Sequence, residues 1–575
     1  MRKQKASVRD LRKGPRLNVT RMGRGRGKAT RAEDAAENEQ SGQQQIPRPQ
    51  RRKSLRAGLA VVGGRTAGAL SRRLHVGGGT SIVGLVAQRV DPDIIGHLAT
   101  QLEHGSVLVT GTNGKTTTSG FIATILRQAG LRVWRNREGS NLMGGIASSL
   151  VIRALPNGNL RRDGKAISIF EVDEAVVPQV VQTIPPRVAV FINLFRDQLD
   201  RYGEVDSVTA RWQQAVSKLS DETILVLNAD DPTTANLGQA FTGRVLYFGI
   251  DDPSLDLSKQ QIGGERHQVI DTRTCSQCGN DYVYEMRFFS HMGHYYCPRC
   301  GHKRPEPDVR VLKVQPDNFD RLRLSITSSA ASTPEQLHEL VIPLPGIYNV
   351  YNALAAATVA RALEVGWDEI ATGIAQFKPI FGRGERIEIE GRTLRLLLAK
   401  NPTGFNEVLR TLFSEGVPRH VLFALNDNIA DGRDISWIWD VDFERTVDHT
   451  ETLVLAGTRA LDLALRLKYA GVSPEKMMTI PSTPLRAARR EQDIHSQKNR
   501  RIKNRINRGS EVTEQAVEAK PLRQYGIVEA LDAAVRQTPV GETLFVVPTY
   551  TSLLEIHREL ERRGLTPRYW EGRDS

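Results

Sequence analysis

The residues Thr110-Gly111-Thr112-Asn113-Gly114-Lys115-Thr116-Thr117-Thr118 lie between an apolar run, Ser106–Val109, and a stretch whose Phe121, Ile122, Ile125 and Leu126 recur at helical spacing. A strand, a glycine-rich turn and a helix start, in that order, make a phosphate cradle. Glycines let backbone N–H groups close around phosphate oxygens, and the helix N-terminus adds positive potential. A lysine then reaches the terminal phosphates, and a threonine hydroxyl can hold Mg²⁺. Lys115 and Thr116 suit those two roles, with Gly111, Thr112, Asn113, Gly114 and Thr117 forming the loop. The spacing departs from the common G-x-x-x-x-G-K-[ST] pattern, because Val109 stands where its first glycine would be.

A second constellation is Cys275-x2-Cys278 and Cys297-x2-Cys300, two pairs 18 residues apart. This is the spacing of two knuckles closing a tetrahedral four-cysteine zinc site, and Gly279 and Gly301 relieve the turns that bring the thiolates together. Four thiolates leave no open coordination position, so the expected Zn²⁺ is structural. A redox dithiol pair is the competing reading. His291 and His294, between the pairs, are expected to be loop or surface residues rather than ligands. A zinc ribbon flanked by Arg299, His302, Lys303 and Arg304, with Tyr295 and Tyr296 nearby, also raises a nucleic-acid-binding ATPase as an alternative.

Further along, Phe170-Glu171-Val172-Asp173-Glu174 ends a strand candidate, where carboxylates would face a nucleotide at the carboxyl edge of a sheet. Read with this segment, the phosphate loop resembles that of the Mur ligase family, which joins amino acids to carboxylates through acyl phosphates. The resemblance continues through Asn193-Leu194-Phe195-Arg196-Asp197-Gln198-Leu199-Asp200, Leu227-Asn228-Ala229-Asp230-Asp231-Pro232, Gly346-Ile347-Tyr348-Asn349-Val350-Tyr351-Asn352-Ala353 and Phe381-Gly382-Arg383-Gly384-Glu385-Arg386. It implies Mg²⁺ on Glu171, with Glu174 the next choice, and an adenine contact at Asn228 beside Asp231. It also implies a cleft shaped by Asn349 and Asn352, and Arg383 at the transferred phosphoryl group. Gln198 replaces the family's metal-binding histidine, and the family's carbamylated lysine falls near Gln213, so the usual second metal lacks its ligands.

Near the C-terminus, Leu398-Ala399-Lys400-Asn401-Pro402-Thr403-Gly404-Phe405-Asn406, the run from Asn426 to Asp440, and Pro548-Thr549-Tyr550-Thr551 depart from the amino-acid-adding ligases. They resemble the family's lipid II-amidating synthetase subunits. That resemblance implies ATP-dependent amidation of the D-glutamate α-carboxylate in the lipid II stem peptide. Ammonia would come from a glutamine amidotransferase partner of the GatD type, in a heterodimer. Asp434 would complete the partner's glutaminase site, with Asp427, Asp431 and Asp440 as alternatives. The alternative within the family is a ligase that adds an amino acid, as folylpolyglutamate synthases do.

The elements that must position these groups are short β-branched runs at 106–110, 166–172, 188–194, 223–228 and 244–249, alternating with amphipathic stretches. A second series runs at 394–399, 420–425, 452–456 and 543–547. Such alternation predicts an α/β fold: a P-loop-type, mostly parallel sheet carrying the ribbon, then a smaller Rossmann-like α/β domain. The expected units are a basic tail at 1–56, an ATP-binding domain at 57–387 with a ribbon insertion at 272–303, and a C-terminal domain at 388–575 with an insertion at 486–520. The formal charge of +14 sits in the extensions, since residues 1–56 hold 17 Lys/Arg against 5 Asp/Glu, and 486–510 hold 9 against 2. Both segments are expected to be disordered. The remaining body is mildly acidic, which argues against a nucleic-acid partner. No apolar run approaches the ~20 residues of a membrane span, and no secretory signal is evident, so the expected location is cytoplasmic, at the inner face of the membrane where lipid II is met.

Overall fold

The computed structural model describes residues 55–73, 81–136, 141–162, 164–196, 205–257, 272–328, 336–379, 381–414, 416–482 and 526–567. The tail as far as residue 54, the 486–520 segment and Gln198 lie outside them.

Three helices come first: α1 (Leu55–Arg73), α2 (Ile82–Val90) and α3 (Ile94–Ala99). Strand β1 (Ser106–Thr110) then feeds α4 (Lys115–Gln128), β2 (Arg132–Arg135), α5 (Met143–Val151), β3 (Ala166–Glu171), α6 (Val177–Thr183) and β4 (Val188–Phe191). The series continues with α7 (Val205–Val216), β5 (Ile224–Asn228), α8 (Pro232–Ala235) and β6 (Val245–Ile250). These six strands run parallel in the order β6-β5-β4-β1-β3-β2. Every residue of β1 is buried, because helices cover both faces of the sheet. Val107 and Val109 pack with Phe121 and Ile122 of α4 on one face, and Leu108 packs with Phe170, Phe191 and Trp212 on the other. Between β3 and β4 the chain crosses from one side of β1 to the other, and ligands of open α/β sheets bind at such a reversal.

The hairpin β7 (Val283–Phe289) and β8 (Met292–Tyr296) forms the ribbon as a separate two-stranded sheet. Beyond it, β9 (Val309–Asn318) joins β6 in parallel, and β10 (Arg321–Ser328) and β11 (Gln336–Ile342) extend the main sheet antiparallel to nine strands. None of the strand candidates falls on these three. They expose one side and read as mixed polar sequence, unlike the continuous apolar runs of a sheet buried on both faces.

Helices α9 (Ile347–Ala362) and α10 (Trp367–Ala375) return against α4. A second, six-stranded sheet follows, built from β12 (Arg383–Ile389), β13 (Arg392–Leu397), α11 (Pro402–Leu412), β14 (Arg419–Ala424), β15 (Thr450–Gly457), α12 (Ala460–Ala470), β16 (Met477–Pro481), α13 (Ile527–Gln537), β17 (Thr543–Pro548) and α14 (Tyr550–Arg562). Its order is β12-β13-β17-β14-β15-β16, parallel except for the edge strand β12. The second sheet thus begins at Arg383, ahead of the break placed at 388, because the alternating charges of β12 hide an edge strand.

Candidate functional site

The loop after β1 owes its shape to glycine. Gly114 caps α4 at φ 87°, and a Cβ there would lie 2.0 Å from Oδ1 of Asn352. Gly111, at φ 144°, passes 3.0 Å from the Asn193 carbonyl by the same measure. Asn193 clasps the loop on its other side, accepting from the Asn113 N–H at 3.0 Å and donating to the Asn113 carbonyl at 3.2 Å. Lys115 folds back over this loop, donating to the Gly111 carbonyl and pairing with Glu174 Oε2 at 3.0 Å.

Glu171 ends β3 beside the first turn of α4. Its Oε2 accepts from the Thr116 hydroxyl at 2.8 Å, and its Oε1 accepts from Ser119 at 2.6 Å and Arg135 at 2.8 Å. Burial pushes this carboxyl up, but the Arg135 guanidinium, the two hydroxyl donors and Arg383 outweigh it and hold the group below its ordinary value. Glu171 is therefore a carboxylate at neutral pH. Two oxygens 2.8 Å apart match neighbouring corners of a Mg²⁺ octahedron, whose edge is about 2.9 Å for metal–oxygen bonds near 2.05 Å. Thr116 and Glu171 fit that ion. Nothing in the local sequence marks Arg135 or Ser119 as part of this site; β2 brings one and the next turn of α4 the other.

The second sheet completes the site. Arg383, the first residue of β12, donates from Nη2 to the Thr116 hydroxyl at 2.9 Å. Asn401 caps α11 and exchanges amide hydrogen bonds of 3.3 and 3.2 Å with Asn113. Between these two bridges lies a cleft of about 770 Å³, open to solvent, whose walls include Gly114, Thr117, Asn349, Asn352, Arg383 and Glu407. Its apolar side is made by Phe195, Phe289, Tyr348 and Tyr351. Asn349 and Asn352 thus stand in the wall, joined at 3.1 Å, with Asn352 also accepting from Thr118 at 3.3 Å.

Asn228 and Asp231 are not brought to the cleft. Both are fully buried: Asn228 donates to the Ile192 carbonyl at 3.0 Å and accepts from the Asp230 N–H at 3.0 Å, and Asp231 caps α8 and holds the Leu194 N–H at 2.8 Å. The Asn-Ala-Asp-Asp turn locks the edge of the sheet: Asn228 and Asp231 bond backbone groups, while Asp230 pairs with Arg304 and accepts from the Tyr351 hydroxyl. Gln213 is exposed on α7.

The four cysteine sulfurs lie within 4.8 Å of one another, with Cys275 to Cys300 at 3.6 Å and Cys278 to Cys297 at 3.4 Å. Tetrahedral Zn²⁺ with 2.3 Å bonds places its sulfurs about 3.8 Å apart, so this donor set fits the metal. Gly279 and Gly301, at φ 72° and 75°, make the two knuckle turns. The two histidines between the cysteine pairs are held by packing. His291 is fully buried at the hairpin tip, 3.3 Å from Asp231 Oδ1 and against the Phe195 ring, while His294 Nε2 lies 2.8 Å from the Ile250 carbonyl. The reason is docking: the hairpin plugs into the edge of the main sheet, a contact that its sequence cannot display. Arg304 is likewise part of this anchor, paired with Asp230 at 2.6 Å and Asp251 at 3.0 Å, and not an open basic surface.

Of the four candidate aspartates after β14, Asp431 is buried and accepts from the Thr551 N–H at 2.8 Å, Asp427 lies 3.2 Å from Arg459, and Asp440 pairs with Arg196 at 2.9 Å. Asp434 is the exposed member of the set, its Oδ1 accepting from the Ser436 N–H at 2.8 Å.

Residues 109–291 match the family model of the Mur ligase middle domain, and 398–503 match that of the MurT ligase C-terminal domain. The chain is 33% identical over 395 residues to subunit MurT of the glutamine-hydrolyzing lipid II isoglutaminyl synthase of Staphylococcus aureus, covering 68% of this chain and 84% of that one. It is also 33% identical to the subunit of the same name from Streptococcus pneumoniae, covering 74% and 89%. Among solved structures, a pseudomurein peptide ligase type C from Methanothermus fervidus aligns with TM-score 0.54 at 21% identity, over 82% of this chain and 80% of that one. MurF from Acinetobacter baumannii aligns with TM-score 0.51 at 14% identity, over 84% and 80%. These two likenesses concern the fold.

Proposed function

The chain belongs to the MurT family and is an ATP-dependent ligase of peptidoglycan synthesis, and from that premise we propose that it amidates the D-glutamate α-carboxylate of the lipid II stem peptide through an acyl phosphate. The observation that carries this reading is the Thr116 hydroxyl, held between the Glu171 carboxylate of one sheet and the Arg383 guanidinium of the other. Closing the two sheets on a nucleotide would place an anion-neutralising arginine at the phosphates that Lys115 and the loop amides hold. Bound Mg²⁺, on Thr116 and Glu171, would neutralise phosphate charge.

The substrate carboxylate oxygen attacks the γ-phosphorus, and the bond to the β-bridging oxygen breaks, releasing ADP. Ammonia then attacks the acyl carbon, phosphate leaves with the former carboxyl oxygen, and a proton lost from nitrogen completes the amide. Arg383 and Asn401, reaching from the second sheet to the loop, would hold the two sheets in register around the reacting groups. Structural Zn²⁺ would fix the ribbon that supplies Phe289 to the cleft wall.

Ammonia calls for a second protein, since the four cysteines gather in the ribbon and none stands at the cleft. A GatD-like glutaminase fits the face around Asp434. There Trp439, Leu461, Leu465 and Tyr469 are exposed together, with the last three recurring every four residues along α12. Aromatic and leucine anchors of this kind mark protein interfaces. The working units would be 57–387 and 388–575, with the enzyme acting at the cytoplasmic face of the membrane.

The test is amidation of lipid II by the purified chain with its partner, using glutamine or ammonium as nitrogen source and ATP turnover as a second readout. Lys115→Ala should abolish amidation with either source while leaving the fold intact. Undiminished product from this variant would refute the assigned site.

A further inference from the structure

Helix α1 is apolar on two sides, and only one of them meets protein. Ala57, Ala60 and Val61 are buried in the layer under the main sheet, and Arg56 and Arg65 are drawn down to the carbonyls of Val90, Ile152 and Ala154. Leu55, Leu59 and Val62, spaced as one helix face, are 88, 65 and 45% exposed, and Leu70 two turns on is 58% exposed. On the edge of α2 next to α1, Val90, whose carbonyl accepts from Arg56, is 36% exposed. A helix on a water-facing surface ordinarily carries polar residues there, whereas this face offers Thr66 between Val62 and Leu70, its hydroxyl turned back to the Val62 carbonyl at 3.0 Å. Single exposed leucines need no explanation, but ten of the 23 large apolar side chains exposed among the described residues fall between 55 and 155.

Charge identifies the cover. Neither α1 nor α2 contains an aspartate or glutamate; Arg73 and Arg89 are exposed, while Arg56 and Arg65 are already bonded to backbone carbonyls. The sequence leading into α1 is itself basic, with 17 Lys/Arg against 5 Asp/Glu in residues 1–56. Two copies meeting through this face would bring like charges together. A bilayer with anionic headgroups satisfies both features, taking leucines at the acyl boundary and arginines among the phosphates. No described helix is long and apolar enough to cross a membrane, so the fit is to a helix lying in the plane of the surface.

We propose that the outer face of α1, with the adjoining edge of α2, docks the enzyme on an anionic phospholipid surface. A lipid-linked substrate is met at such a surface, yet the docking stands on the helix face alone and needs no catalysis to be observed. The test is co-sedimentation of the full chain, with its partner subunit, on vesicles of phosphatidylcholine and of phosphatidylcholine with phosphatidylglycerol at about a third. The expected result is binding to the anionic vesicles that falls about tenfold or more in Leu59→Glu/Leu70→Glu, with ATP turnover on detergent-dispersed substrate unchanged.

Equal binding by parent and variant, or no binding to anionic vesicles, overturns the proposal. So does binding that vanishes on removal of residues 1–50 while the leucine variant still binds. A parent dimer that the leucine variant abolishes in sedimentation would assign the face to a second copy and overturn it as well. Failure of the amidation reading looks different, because Lys115→Ala would then retain turnover without any change in vesicle binding.

Discussion

Replacing Arg304 by methionine tests how the ribbon is held to the ATP-binding sheet. The guanidinium donates to Asp230 Oδ1 at 2.6 Å and to the Ile250 carbonyl at 3.1 Å, and Asp230 is fully buried. The other carboxylate oxygen, Oδ2, already accepts from the Tyr351 hydroxyl at 2.6 Å and the Ile250 N–H at 2.9 Å. Methionine keeps the volume of the stem but leaves a buried carboxylate without its cation, a loss of about 3–5 kcal/mol in such pairs. Asp230→Asn alone also costs stability, since its amide N–H₂ would face the guanidinium donor to donor. Its oxygen, however, can keep the Oδ2 bonds. The double variant removes both charges together and should recover part of each loss, giving a coupling of about 1–3 kcal/mol between neighbours in one network. Urea unfolding, followed through the ribbon tyrosines and through zinc release to a chromogenic chelator, measures the four corners of the cycle. A single-variant loss below about 1 kcal/mol, or losses that simply add, would refute this account of the anchor. Because Phe289 reaches the cleft from the same hairpin, Arg304→Met should also raise KM for ATP.

Asp434→Asn is expected to reduce glutamine-driven amidation by about tenfold or more while leaving ammonium-driven amidation near the parent rate, and equal losses would move the residue out of the partner's site. Stripping Zn²⁺ with a strong chelator should weaken ATP binding as well as destabilise the ribbon, and ATP affinity unchanged in the metal-free protein would contradict the role given to Phe289. His557 of α14 lies 3.4 Å from Glu385 and 3.4 Å from Glu561; burial opposes its charge, but the two carboxylates outweigh burial and raise its pKa. Its contribution to stability is therefore complete below the unfolded value near 6.5 and is lost as pH rises through the raised folded value. His557→Gln should flatten the stability profile above pH ~6.5, and a profile of unchanged slope would exclude the histidine as its source.

The phosphate loop, the metal knuckles and the alternation of strand and helix were legible because each is written in residues close together in the chain. Gly114-Lys115-Thr116 and Cys275-x2-Cys278 act through spacing of a few residues, and local backbone geometry settles what they can do. The buried parallel strands announce themselves as apolar runs for the same reason. Strands β9 to β11 do not, since a sheet with one solvated face alternates and resembles loop. Nor does any short stretch of sequence show that the Asn228 amide serves a backbone carbonyl or that the hairpin turn buries His291 beside Asp231.

The amino-acid order alone determined which groups could hold phosphate and zinc. Only the folded chain decided that Arg383, 267 residues from Thr116, would reach the Thr116 hydroxyl while Arg135, 36 from Glu171, reaches the carboxylate that this hydroxyl bonds. It also decided that the ribbon hairpin would supply Phe289 to the wall of the cleft and that Leu55, Leu59 and Leu70 of α1 would be left exposed. Contacts at such separations follow from strand order and crossover direction, which arise from packing whole sheets against helices and leave no periodic trace in any short stretch of sequence.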